Sequence, residues 1–217
     1  LSFWLVGFVT SITLYEFYRA AAARSRTHGE NPLLALWRLA GRNRRRYGGY
    51  TIHIGVVLMA VGIIGIEMFQ TETQGTLALG ESLNLGNYRI TYDDLRSWDE
   101  LDKGVNYTRA VVSVYRDEQF LGELYPRRDY YYESQQPMTI PGVRSSLEDD
   151  FYVLLVDWEA ISAQGATFKV YHNPLVNWLW IGGFIFILGT LIAAWPEKDP
   201  EMEPARKRLT SYVPAEA

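Results

Sequence analysis

Residues Leu175 to Trp195 read LVNWLWIGGFIFILGTLIAAW, 21 residues without a charge. An α-helix rises about 1.5 Å per residue, so roughly 20 such residues cross a hydrocarbon layer of about 30 Å. Trp178, Trp180 and Trp195 mark its ends, where amphipathic rings favour the membrane interface. Pro174 before the run and Pro196 after it punctuate the helix. The stretch predicts a transmembrane helix over 174–195 and changes how the other residues are read. The averages conceal it: 217 residues, 48% hydrophobic, 21% charged and a net charge of −4 describe an ordinary soluble chain.

Two further runs are apolar. Tyr50 to Phe69 reads YTIHIGVVLMAVGIIGIEMF and predicts a second span over 50–69, with His53 near its start and Glu67 near its end. Leu1 to Tyr18 is apolar apart from Glu16 and predicts a span truncated at its N-terminus, over 1–18, in a piece of a longer protein. A cleaved signal peptide is the other reading of that run, but it has neither a basic n-region nor a small-residue cleavage pattern. Between the first two spans, residues 19–49 carry eight arginines against Glu30 alone. The tail, 196–217, has Lys198, Arg206, Lys207 and Arg208. Basic short loops stay cytoplasmic, which leaves 70–173 outside the cytoplasm. Within the basic loop, Asn31-Pro32 is a helix start, and Leu33, Leu36, Trp37 and Ala40 recur with helical spacing. That predicts an amphipathic helix on the inner interface, its arginines facing lipid head groups rather than nucleic acid.

The segment between the last two spans has a different grammar. Tyr88, Ile90 and Tyr92 alternate with Arg89 and Thr91, as one buried strand face requires. Ala110–Tyr115 and Phe120–Tyr125 read as a hairpin, and Phe151–Trp158 with Ala166–Tyr171 as a closing pair. Six or seven short strands predict a small antiparallel barrel or sandwich. The expected fold class is therefore an α-helical membrane protein of three transmembrane helices with an inserted all-β extracytoplasmic domain. The acidic group Asp93, Asp94, Asp99, Glu100 and Asp102 reads as a solvated loop ahead of a metal or catalytic site, and Arg127 to Tyr132 as an edge strand guarded by charge ahead of a partner-binding strand.

Zero cysteine excludes disulfides, thiolate metal sites, a Cys nucleophile and covalent c-type haem attachment to this chain. Three histidines remain. His28 reads as a solvated loop residue, and His172 as an anchor at the outer membrane boundary or a ligand for something docking there. His53 lies inside a span, where an ionisable ring is costly and has a partner. Two readings of it stand: an imidazole bonded to a neighbouring helix, or an axial haem ligand. Gly49 and Ala60 share its face and leave room for a macrocycle or another helix.

Arg-Arg-Tyr-Gly-Gly-Tyr-Thr-Ile-His-Ile-Gly-Val (Arg45 to Val56) resembles the penultimate helix of the CcmF-type cytochrome c biogenesis proteins. Asn-Pro-Leu-Val-Asn-Trp-Leu-Trp-Ile-Gly-Gly (Asn173 to Gly183) and Leu188 to Ala193 are similar to their final helix. The β segment with Leu-Tyr-Pro-Arg-Arg-Asp-Tyr-Tyr (Leu124 to Tyr131) fits the same family, which includes a nitrite-reductase-associated homologue. The resemblance implies a subunit of the haem lyase that joins haem to the Cys-x-x-Cys-His thiols of apocytochrome c, in the inner membrane. It implies haem b as cofactor, with His53 as one axial ligand of its iron and the other ligand upstream. The implied partners are the haem chaperone, apocytochrome c, other maturation subunits of the membrane, and lipids; the implied catalytic surface also lies upstream. A non-enzymatic scaffold docking apocytochrome or assembly partners, and a b-type electron carrier, are the alternatives.

Overall fold

The structure, a computed structural model, describes residues 1–29, 31–158 and 165–196. The basic tail lies outside the described residues from 197 onward. Three helices come first: α1 (Ser2–His28), α2 (Pro32–Arg42) and α3 (Arg44–Phe69). α1 continues ten residues past Tyr18, through three arginines, so most of the basic loop is helical. α2 begins at Pro32, where Asn31-Pro32 sets it, and the Asn31 carbonyl accepts from Ala35 N. Its Ala35 is buried, whereas Trp37 of the apolar stripe stands 77% exposed.

Ten strands follow: β1 (Thr71–Ala78), β2 (Ser82–Leu85), β3 (Tyr88–Glu100), β4 (Val105–Arg116), β5 (Gln119–Leu124), β6 (Arg127–Tyr131), β7 (Gln136–Ile140), β8 (Gly142–Ser145), β9 (Asp149–Trp158) and β10 (Gly165–Pro174). The chain then enters α4 (Val176–Ala194). One sheet has the order β1-β10-β9-β8; the other runs β2-β3-β4-β6-β7, with β5 also on β4. All pairings are antiparallel. The count exceeds six or seven because β2, β7 and β8 are only four or five residues long, too short for a period of two to stand out. The hairpin of β4 and β5 turns at Asp117 and Glu118, both with positive φ, as the strand twist requires.

Alternation builds the core. Tyr88, Ile90 and Tyr92 with Ala110, Val112 and Val114 from one sheet meet Phe151, Val153, Leu155, Ala166, Phe168 and Val170 from the other. Burying these side chains is the main drive to fold, at about 25 cal/mol per Å² of apolar surface.

Two readings need correction. Arg127 to Tyr131 is not an edge strand, since β6 lies between β4 and β7. Its charge is used inside the sheet: Asp129, 1% exposed, is paired with Arg127. The acidic group is mostly not a loop either. Asp93, Asp94, Asp99 and Glu100 lie on β3, with a register shift between Tyr92 and Asp94, and only Asp102 sits in the following turn. Local partners hold these carboxylates: Arg96 on Asp94, Asn106 and Tyr132 on Asp99, and Lys103 on Glu100.

α3 runs through Gln70 into β1, and β10 runs into α4. Because β1 and β10 are paired (Thr71 opposite His172), the sandwich stands on two adjacent strands directly above two packed helices.

Candidate functional site

α3 has two faces. On one, Gly48, Gly55 and Gly62 recur every seven residues, and on α4 Gly182 and Gly189 do the same. A Cβ on Gly55 would lie 2.6 Å from Phe186 N, and one on Gly182 would lie 2.6 Å from Gly55 O. The backbones therefore touch, as small residues permit between membrane helices. Among the described residues, α3 and α4 are the two helices long and apolar enough to cross a membrane.

His53 belongs to the other face. It is exposed, as are Val56 and Ile63 three and ten residues along that side, and Gly49 has no heavy atom within 4 Å of where a Cβ would be. Neither sequence neighbour is its hydrogen-bond partner. Thr51 Oγ1 donates to Tyr47 O at 2.9 Å, and Tyr50 Oη donates to Glu16 Oε2 at 3.3 Å while accepting from Arg46 Nε. Among the described residues no side chain bonds to His53. Glu67 is near the other end of α3, and His28 closes the last turn of α1.

α1 lies antiparallel along α3, with Phe3 against Phe69 at one end and Phe17 against Tyr47 and Tyr50 at the other. Glu16 ties the second end, accepting from Arg19 at 3.1 Å and from Arg46 at 3.0 Å.

His172 sits at the foot of the sandwich in a network that sequence reasoning missed. Its Nε2 is 2.8 Å from Asp149 Oδ2, which also accepts from Tyr88 Oη at 2.9 Å. Ser146 Oγ donates to Asp149 Oδ1. Next to it, Asn177 of α4 donates to Asp150 Oδ1 and to Ser146 O, both at 2.6 Å. Tyr88 stacks on Phe151 at 4.4 Å. Burial alone would push the Asp149 carboxyl up; the hydrogen bonds from His172, Tyr88 and Ser146 outweigh it and hold the group below its ordinary range. Burial, then Asp149, pushes the Tyr88 hydroxyl up to about 12. The sequence signal was the acidic run Glu148-Asp149-Asp150 where β9 begins and His172-Asn173 where β10 ends: pairing β9 with β10 puts them side by side. Among the described residues no group of acids and histidines has metal-binding spacing.

These features define a class: an antiparallel β-sandwich inserted through adjacent strands between two glycine-packed helices of membrane-spanning length, one carrying an outward imidazole. Residues 68–174 match the family model described as "CcmF C-terminal beta-sandwich", and the chain belongs to the CcmF family through this domain. It is 26% identical over 192 residues to the cytochrome c-type biogenesis protein CcmF of Haemophilus influenzae, covering 88% of this chain and 28% of that protein. To the probable cytochrome c-type biogenesis protein NrfE of Escherichia coli K12 it is 30% identical over 148 residues, covering 67% and 26%. A solved structure titled "Cytochrome c Heme Lyase CcmF" shares the fold at a TM-score of 0.58 and 22% identity, covering 86% of this chain and 34% of that one. The chain spans about a quarter of the length of the curated relatives it matches.

Proposed function

We propose that this chain is the C-terminal part of a membrane haem lyase subunit for cytochrome c-type biogenesis, with His53 supplying one axial ligand to a haem b. The observation that carries the reading is the open His53 face. A costly imidazole stands on the side of α3 that α4 does not cover, beside a glycine with space around it. Those residues fit a flat macrocycle whose second ligand comes from an upstream helix. When bound there, haem b supplies one-electron exchange with the redox chemistry of the lyase.

The chain's own residues do the rest. The glycine seam fixes α3 against α4 and so fixes the direction in which His53 points. α1 is read as a third span: it runs antiparallel to α3 for the needed length, and its hydroxyls are satisfied inside the helix. Thr10, Ser11 and Thr13 donate to the carbonyls of Val6, Gly7 and Val9. With the arginines of 19–49 on the cytoplasmic side of an inner membrane, the sandwich of 70–173 is periplasmic. There it is read as a docking domain for apocytochrome and maturation partners, the haem chaperone among them.

In the full-length protein, His53→Ala is expected to abolish the b-haem absorbance and c-type cytochrome assembly together. A retained b-haem spectrum in that variant would sink the ligand assignment. A full-length protein that carries no haem at all would favour a plain scaffold, and haem without dependence of cytochrome c assembly on the protein would favour an electron carrier.

A further inference from the structure

On the outward face of the larger sheet three arginines share one row. Arg96 on β3 is opposite Arg109 on β4, and Arg109 is opposite Arg127 on β6. Like charges directly across strands repel, so such a row needs counter-ions. Two of the three have them. Asp94 Oδ2 takes Arg96 Nε at 2.8 Å, and Asp129 takes Arg127, whose Nη2 donates to Oδ2 at 3.0 Å. Arg127 Nε is also 2.8 Å from Asp129 Oδ1, but off the hydrogen-bond axis.

Arg109 is the exception. Among the described residues no carboxylate is within ion-pairing distance of it, and its Nε is buried without a hydrogen-bond partner. Aromatic rings hold it instead: its guanidinium carbon is 5.5 Å from the ring centre of Trp98 and 5.6 Å from that of Tyr125. Glu123, two residues before Tyr125, accepts from the Tyr125 hydroxyl at 2.7 Å. Rings near a guanidinium accept none of its in-plane N–H bonds, so the terminal Nη groups are left for an acceptor, and a carboxylate suits them. Trp98, Tyr125 and Met138 on the same side are exposed and give apolar contact around the charge.

We propose that Arg109, walled by Trp98 and Tyr125, is the anchor of a docking site for an acidic peptide segment of a protein partner, holding a glutamate or aspartate carboxylate. The missing counter-ion in an otherwise neutralised row is the charge complementarity that selects this occupant. The proposal rests on reading the sandwich as a docking domain and names the chemistry that domain recognises.

The test is fluorescence anisotropy of a labelled hexaglutamate peptide with the full chain in nanodiscs of uncharged lipid. Arg109→Met, which keeps the apolar stem, is expected to weaken binding about tenfold or more, as loss of a charge-assisted hydrogen bond does. Arg109→Lys should fall between, Arg96→Met should stay within about twofold, and hexaglutamine should not bind. Near-UV circular dichroism of each variant verifies the fold, and Trp98→Leu gives a second route to the same loss. Equal binding by Arg109→Met and the unaltered chain, equal loss in Arg96→Met, or displacement by acetate at matched carboxylate concentration would each overturn the proposal. The measurement needs no haem, so its outcome is separate from that of His53→Ala.

Discussion

Gly55→Leu is expected to separate α3 from α4 and to cost more than about 3 kcal/mol, read as the shift in a detergent-titration unfolding curve. A Cβ at that position would be 2.6 Å from Phe186 N and 2.8 Å from Gly182 O. Both are backbone atoms in a regular helix, so no rotamer change relieves the contact and the axes must move apart. Adding even one methylene to a well-packed interior costs about 1–3 kcal/mol, and leucine adds more against atoms that cannot yield. Loss at one point spreads, because Gly48, Gly62 and Gly189 make the same close approach along the seam. A seven-residue spacing keeps them on one side, since two turns of helix fall only about 20° short of closing on it. The control is Gly49→Leu, one turn from His53. Nothing lies within 4 Å of its Cβ position, so the helix pair should keep its stability while b-haem absorbance in the full-length protein falls. Equal destabilisation by both substitutions would mean that the seam is not where the helices are held.

The two faces of α3 show where sequence reading succeeds and where it stops. Charge-free length and flanking tryptophans make 174–195 legible as a helix, because burial in hydrocarbon demands such a run and little else produces it. The sandwich core is legible in Tyr88, Ile90 and Tyr92, since the period of two is fixed by strand geometry. The glycines are harder. Gly48 and Gly49 are adjacent and alike in sequence, and only the rotation of α3 against α4 decides that the first is packed and the second open. The charge of β6 misleads for a related reason. A hydrophilic strand reads as an edge when its neighbours are unknown, yet Arg127 and Asp129 neutralise each other between two partner strands. Asp149 and His172 are 23 residues apart and meet only through the β9–β10 register, so neither one announces the other. Arg109 is the limiting case. Its meaning lies in a counter-ion that its two row neighbours have and that it does not have among the described residues, a difference that exists only in three dimensions.

Asp149→Ala is expected to loosen the sandwich from the helices, at a cost of about 1–3 kcal/mol, the range for leaving a buried hydrogen-bonding group without its partner. The loss falls on the buried Tyr88 hydroxyl and on His172, which are left without this acceptor, whereas Ser146 keeps its bond to the Asp149 carbonyl. Asp149→Asn keeps the shape and one acceptor oxygen, so it should cost less. Two pH limits follow from the same geometry. The Asp149 carboxyl titrates below its unfolded value, so its contribution is complete above the ordinary carboxylate range and is lost as pH falls through the folded value. Tyr88 has the opposite sign. Its hydroxyl is raised from 10.0 to about 12, so its contribution is complete below pH 10 and is lost as pH climbs from there. A rise of that size corresponds to roughly 2–3 kcal/mol. Thermal unfolding across pH should therefore show a shoulder of lost stability at each extreme, and Tyr88→Phe should flatten the alkaline one while Asp149→Asn flattens the acid one. Unchanged alkaline melting in Tyr88→Phe would show that the Tyr88 hydroxyl is not the group that sets the alkaline limit. Because β1 and β10 are the links between sandwich and helices, and Asn177 joins this network from α4, the junction is also where movement of the domain would first be felt by the helix pair that aims His53.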